Sequence, residues 1–169
     1  LGLKGGEKEV DRKVLMPIIA LIFFAIMIVS PVMAITKTSY WEYVEGGATG
    51  DPGKQKMANG ILHLWDLPWA GSYEGTLGTG TMEVCFEHLT VNTETGKGTA
   101  FATWTIVIGD STLSGSANGR ITGGLSGTSE GYFRGTHGTG EFKGIEKWGT
   151  YSVNLATGIL EAEGVIIYH

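Results

Sequence analysis

Several features that define common protein classes are missing from this chain of 169 residues. Its single cysteine, Cys85, has no partner for an internal disulfide. There is no basic excess, because 12 Lys and Arg stand against 17 Asp and Glu and the net charge is −5. Since nucleic-acid phosphates require a basic surface, nucleic acid is excluded as an expected partner. No G-x-S-x-G, H-E-x-x-H, phosphate-loop or Ser-His-Asp pattern is present, so the sequence predicts no cofactor and leaves open whether the protein is an enzyme.

Metal-ligand spacing is also missing. No two of the four histidines have the short spacing of a zinc motif. A metal ion would need three ligands converging from separate strands. The sequence therefore predicts no metal site.

Long hydrophobic runs are confined to the beginning of the chain. Residues 14–34 read VLMPIIALIFFAIMIVSPVMA, and as a helix these 21 residues would rise about 31 Å, close to the thickness of a bilayer core. Ser30 and Pro31 would interrupt the helix just before Val32-Met33-Ala34, which resembles the small-residue cleavage site of a signal peptide. Two interpretations stay open, a cleaved signal peptide and a retained anchor. Both predict a division into 1–34 and an extracytoplasmic domain, 35–169, secreted or anchored, with the membrane contacted only through the N-terminal segment.

The chain beyond residue 34 has 25 glycines and no sustained helical periodicity, but apolar residues alternate by two in many segments. Short turns between these segments make neighbouring strands antiparallel. Closure would remove the two bare edges of an open sheet. We therefore expect an all-β fold, a small antiparallel closed barrel of about eight strands preceded by an N-terminal hydrophobic helix, with a two-sheet sandwich as the alternative. The predicted strands are 38–45, 58–66, 69–76, 79–91, 97–108, 111–122, 126–136, 145–154 and 159–168.

Two glycine motifs carry a family resemblance. Residues 109–115 read GDSTLSG and residues 138–144 read GTGEFKG. This pair resembles the allene oxide cyclase and dirigent proteins, which share an eight-stranded antiparallel barrel. The resemblance implies that barrel and a homotrimer. It also places Cys85 near a pocket cysteine of the cyclases, and the segment 41–45 (WEYVE) where they keep a pocket glutamate. Their proline- and asparagine-bearing segment after strand one has no match, and the dirigent pocket aspartates are not identifiable, so the activity is not transferred.

The candidate catalytic residues are Glu83, Cys85 and Glu87, which share one face of a strand. If this face lined the barrel, two carboxylates beside a thiol could have raised pKa values and act as acid or base. The opposite face, with Met82, Val84 and Phe86, is more apolar. That pattern favours the interpretation in which the carboxylates face solvent.

Aromatic side chains provide the candidates for ligand binding. A barrel lined with aromatic residues is one way to hold a small apolar ligand, although core packing also explains them. Tyr132 shares its strand face with Glu130 and Arg134, which also fits a surface ladder. The predicted ligand-binding residues are His63, Trp65, Cys85, Trp104 and Tyr132.

These features support three hypotheses for the function. The first is an exported barrel that binds a small apolar ligand or a partner. The second is an isomerase or cyclase of the allene oxide cyclase type, and the third is a structural envelope protein. In the second motif, Phe142 is expected to plug one end of the barrel while the glycines adopt positive φ or allow close strand approach.

Overall fold

The computed structural model describes residues 36–50 and 53–169. The signal or anchor helix predicted within residues 1–34 lies outside the described residues. Within them, two short 3-10 helices, Gly124–Ser126 and Gly140–Phe142, accompany ten strands. The strands are β1 (Thr36–Ala48), β2 (Lys54–Ala58), β3 (Ile61–Trp65), β4 (Leu67–Gly75), β5 (Gly78–Asn92), β6 (Gly98–Ile108), β7 (Ser111–Thr122), β8 (Thr128–Gly138), β9 (Ile145–Asn154) and β10 (Ile159–Tyr168).

Eight of the strands close into an antiparallel barrel, which confirms the predicted all-β barrel. They follow the order β5-β4-β1-β10-β9-β8-β7-β6, and pairing of β6 with β5 completes the ring. Strand β3 pairs with the far end of β5, and β2 pairs with β3. Among residues 36–50 and 53–169, no helix has the length and apolar character needed to cross a membrane.

The segment predicted as one strand over 58–66 belongs to a hairpin of two strands, β2 and β3. The turn Asn59-Gly60 reverses the chain, with φ of 50° and 74°. Asn and Gly tolerate this left-handed backbone better than other residues, and they are the preferred pair for a two-residue hairpin. A positive φ of 55° at Asp66 marks the boundary between β3 and β4.

Alternation by two divides each barrel strand into an interior and an exterior face. On β5, Met82, Val84 and Phe86 face the interior, and Glu83 and Cys85 face outward. The interior residues pack mainly into one cluster, whose buried members are Tyr40, Val44, Tyr73, Met82, Trp104, Ile106, Leu113, Phe133, Phe142, Ile145, Ala162 and Ile166. A second cluster, Leu64, Leu89, Val91, Ala100 and Ile121, lies where β3 joins β5.

Phe142 is buried in the main cluster, as the glycine motif predicts. Gly140 and Gly144 have φ of 57° and 80°, and a Cβ on Gly138 would collide with the carbonyl oxygen of Phe142. Left-handed backbone and close approach both favour glycine. These glycines therefore let the chain turn Phe142 into the barrel.

Candidate functional site

The barrel interior contains a buried ion pair. Nζ of Lys147 lies 2.7 Å from Oε2 of Glu42, and the two residues are 0% and 4% exposed. Lys147 also donates to the hydroxyl of Tyr40 at 2.6 Å, and that hydroxyl donates to Glu42 Oε2. The hydroxyl of Tyr73 lies 3.2 Å from that of Tyr40. We call these four residues the polar centre. Its mutual hydrogen bonds offset the cost of burying two charges.

The period of two along the strands explains why these side chains meet. On β1, Tyr40, Glu42 and Val44 are buried while the residues between them are more exposed. On β9, Lys147 follows Ile145 on the interior face. Strand β10 lies between β1 and β9. The ion pair therefore forms across the barrel interior between strands that do not pair directly.

Three aromatic rings surround the lysine ammonium. Its Nζ lies 4.2 Å from the ring centroid of Trp104, 4.5 Å from that of Tyr40 and 5.0 Å from that of Phe133. These distances are within the roughly 6 Å at which a ring face attracts a cation. The rings therefore stabilise the charged amine in a position that is closed to solvent.

Burial shifts the pKa values of Lys147, Tyr40 and Tyr73. It lowers the pKa of Lys147 from 10.5 to about 8, although the neighbouring Glu42 carboxylate acts in the opposite direction. It raises the pKa of Tyr40, and the negative charge of Glu42 adds to that increase. The pKa of Tyr73 is also raised, mainly by burial. Both tyrosines therefore remain neutral hydrogen-bonding groups at neutral pH.

A small apolar cavity adjoins the polar centre and has a volume of about 40 Å³. Glu42 is the charged residue in its wall. Several interior side chains that line it, including Val84, Phe86, Ala117 and Leu160, are half-exposed rather than buried. The barrel is therefore filled around Phe142 but incompletely filled here. The full lining is Glu42, Trp69, Met82, Val84, Phe86, Ala102, Trp104, Ala117, Phe133, Tyr151, Val153 and Leu160.

Trp104 lines the cavity, and its indole Nε1 is a buried donor without a hydrogen-bond partner among the described residues. Such groups are rare in native proteins, because a buried donor without an acceptor costs free energy. The indole fits because glycines lie beneath it on neighbouring strands. A Cβ on Gly115 would come within 2.5 Å of its ring, and one on Gly135 would also collide with it.

The candidate catalytic residues lie on the outside of the barrel. Glu83 and Glu87 are exposed, and Cys85 between them is half-buried. Glu87 sits at a register shift between Phe86 and His88, where β5 bulges. Burial, followed by the charges of Asp66 and Glu87, raises the pKa of the Cys85 thiol. This increase favours the neutral thiol over the nucleophilic thiolate.

The five candidate ligand-binding residues are divided between the two faces. Trp104 alone of them lines the cavity inside the barrel. Tyr132 is 68% exposed on the exterior. His63 and Trp65 lie on β3, where their rings stack with the ring of His88. In the described part of the chain, no three His, Cys, Asp or Glu side chains converge as a metal site.

Lys147 is a member of the polar centre that the sequence patterns did not single out. The signal was present, because Ile145, Lys147, Gly149, Tyr151 and Val153 alternate along one face of a strand. A lysine within such an apolar face needs a buried partner. Glu42 lies in the segment where the family resemblance implies a pocket glutamate.

The fold and the interior define a closed antiparallel β-barrel with a buried Lys-Glu centre beside an apolar cavity. Comparisons with protein-family models, curated protein sequences and solved structures gave no match to this chain. The resemblance to the allene oxide cyclase and dirigent proteins therefore rests on the glycine motifs and on the segment that contains Glu42.

Proposed function

We propose that this protein binds a small, largely apolar molecule inside the barrel. The observation that carries the proposal is the partly exposed apolar wall beside the polar centre. Val84, Ala117 and Leu160 pack against the main cluster, yet they remain only partly buried where they line the cavity. Concave apolar surfaces with few polar groups are typical of ligand sites. The unpaired Nε1–H of Trp104 would supply a donor to a ligand oxygen.

Cavity size limits the ligand. The volume of about 40 Å³ exceeds the roughly 10–15 Å³ that one water needs, but it is far below the roughly 300–1,000 Å³ of drug-sized sites. The ligand is therefore a compact molecule, and the half-exposed side chains of Phe86 and Leu160 shift to admit it. A ketone with a small hydrocarbon ring has the required character.

Binding of cyclohexanone, followed by saturation-transfer NMR, tests this function. The wild-type chain is expected to bind, and Ala117→Leu to lose binding because the added carbons fill the cavity. Ala156→Leu is the matched control, since Ala156 is exposed in a turn. If both variants bind cyclohexanone, the result counts against an interior site. The same conclusion follows if the wild type and both variants all fail to bind.

A second candidate is an isomerase or cyclase of the allene oxide cyclase type. The observation in its favour is Glu42, a buried carboxylate that lines the apolar cavity. A fixed charge inside an apolar pocket can steer a reactive intermediate by electrostatics. The test is incubation with an unstable allene oxide. If the wild type forms the cyclised product and the Glu42→Gln variant does not, the result supports this reaction. If the same amount of product forms with and without the protein, the reaction is excluded.

We further propose that the barrel works outside the cytoplasm, as a secreted or anchored protein, and as a homotrimer. Export is supported by the sequence of residues 1–34, and the trimer by the family resemblance. N-terminal sequencing of exported protein separates a mature chain that begins at Ile35 from one that retains the segment. Sedimentation of the purified chain measures the oligomeric state. A folded, exported trimer that neither binds apolar molecules nor turns over an allene oxide would favour a structural envelope role.

A further inference from the structure

Two histidines on adjacent strands meet on the outside of the barrel. Nδ1 of His63 lies 3.4 Å from Nε2 of His88. The register of β3 against β5 places His63 opposite Thr90, so His88 is its diagonal neighbour. Diagonal residues share a sheet face and are within reach of long or aromatic side chains. The opposite face of these strands carries the buried Leu64 and Leu89.

Trp65 covers the histidine pair from the same strand face. Its ring centroid lies 5.5 Å from that of His63 and 5.4 Å from that of His88, with interplanar angles of 12° and 3°. The two imidazoles are themselves near-parallel, at 12°. Stacking on the indole therefore keeps the two imidazoles near-parallel and their two nitrogens near each other.

The distance between the nitrogens fits a shared metal ion. At 3.4 Å it exceeds the roughly 2.7–3.2 Å of an ordinary hydrogen bond from an N–H donor. Two nitrogens bound at about 2.0–2.1 Å to one ion lie about 3.3–3.4 Å apart around a tetrahedral ion and about 2.9 Å apart in the square arrangement that copper prefers, so the pair needs to close by at most about 0.5 Å. Small rotations of the two rings direct both lone pairs onto one ion.

We propose that His63 and His88 form a surface site for a divalent first-row transition-metal ion, with Cu²⁺ bound most tightly. Imidazole suits copper, nickel and zinc, and copper heads the stability order for such ligands. No third side-chain ligand converges with the pair among residues 36–50 and 53–169. Water therefore completes the coordination and leaves exchangeable positions on the ion. This site is separate from the barrel interior and does not depend on the proposed ligand.

The test is a titration of the purified full-length chain with Cu²⁺, followed by calorimetry and tryptophan fluorescence. We expect one ion per chain and quenching of Trp65, since its ring contacts both ligands. His63→Ala and His88→Ala should each lose this binding, and both should keep the wild-type circular dichroism because the two side chains lie at the surface. His137→Ala, which removes another exposed histidine, should bind as the wild type does.

A Trp65→Phe variant separates binding from its optical signal. It should retain the calorimetric binding and lose the quenching. Electron paramagnetic resonance of the copper complex should show hyperfine coupling to two imidazole nitrogens. Failure of the wild type to bind one ion, or binding that survives both His63→Ala and His88→Ala, would overturn the site and leave the pair as a stacked aromatic cluster.

Discussion

Lys147 and Glu42 are 105 residues apart in sequence, yet Nζ of the lysine lies 2.7 Å from Oε2 of the glutamate in the barrel interior. Between their strands, β10 contributes Ala162 opposite Glu42 and Gly164 opposite Gly149. Because these residues are small, the interior has room for the two long polar side chains. The ion pair is therefore a product of the register of β1, β10 and β9.

Breaking the ion pair on one side should cost much more stability than replacing both partners. Lys147→Met leaves the Glu42 carboxylate buried without its cation, and such changes destabilise proteins by about 3–5 kcal/mol. Glu42→Leu combined with Lys147→Met should recover most of that loss, since apolar pairs of similar volume replace buried ion pairs well. Urea denaturation of the two single variants and the double variant measures the coupling. Additive losses would show that the pair does not interact.

The pKa of Lys147 can be observed directly. With ¹³C-labelled lysine, the Cε resonance of Lys147 should titrate near pH 8, because burial lowers its pKa to about 8. Lys54 provides the contrast. It is exposed and bonded to Asp66 at 2.8 Å, which raises its pKa. Titration of Lys147 together with the exposed lysines would contradict its burial.

Stability should rise with pH across the titration of Lys147. Between pH 8 and 10.5 the unfolded chain holds the lysine proton that the folded chain has released. The lysine contribution to the free energy of unfolding therefore increases through this window and is lost as pH falls through 8. Above pH 10 the trend reverses, since Tyr40 and Tyr73 have raised pKa values in the fold and ionise first in the unfolded chain.

Urea melts at about pH 7.5 and about pH 9.5 test this sign, with the Glu42→Leu and Lys147→Met double variant as reference. The wild type should gain stability relative to the double variant at the higher pH. An equal or smaller difference at the higher pH would show that the lysine pKa is not lowered on folding.

The glycine hairpin should be sensitive to small changes. Phe142→Ala removes a buried ring and should cost about 3–5 kcal/mol. Gly140→Ala adds a Cβ at φ 57° beside the side chain of Ser111, where left-handed backbone costs about 1–2 kcal/mol. Gly47→Ala is the matched control, because φ there is not positive and nothing lies within 4 Å of the added carbon. Denaturant melts in which all three variants behave alike would show that this segment is an ordinary surface loop.

The fold was predictable because local patterns specify it. The alternation along β6 and β10 and the glycine motifs can each be recognised from residues that are close in sequence. The closed barrel was expected because an open sheet would leave two strand edges unpaired. The hairpin of β2 and β3 was missed, although Asn59-Gly60 is a strong turn signal. A residue-by-residue search for polar residues on apolar faces would have found Lys147.

The meeting of distant residues was not predictable in the same way. Glu42 and Lys147 come together only once the register of β1, β10 and β9 is known. His63 and His88 likewise lie 25 residues apart and meet through the pairing of β3 with β5. Alternation assigns residues to a strand face, but register decides which residues on that face are neighbours.

The interior ligand site is tested most directly by the indole N–H signal of Trp104. The chain has five tryptophans, and a ¹⁵N spectrum of the labelled protein resolves their indoles, with Trp104→Phe identifying the signal concerned. On addition of cyclohexanone, the Trp104 signal should shift as its unpaired donor gains an acceptor. The signal of Trp41, which is 52% exposed, should stay in place. A shift of Trp41 with none at Trp104 would place the molecule on the surface and contradict an interior binding site.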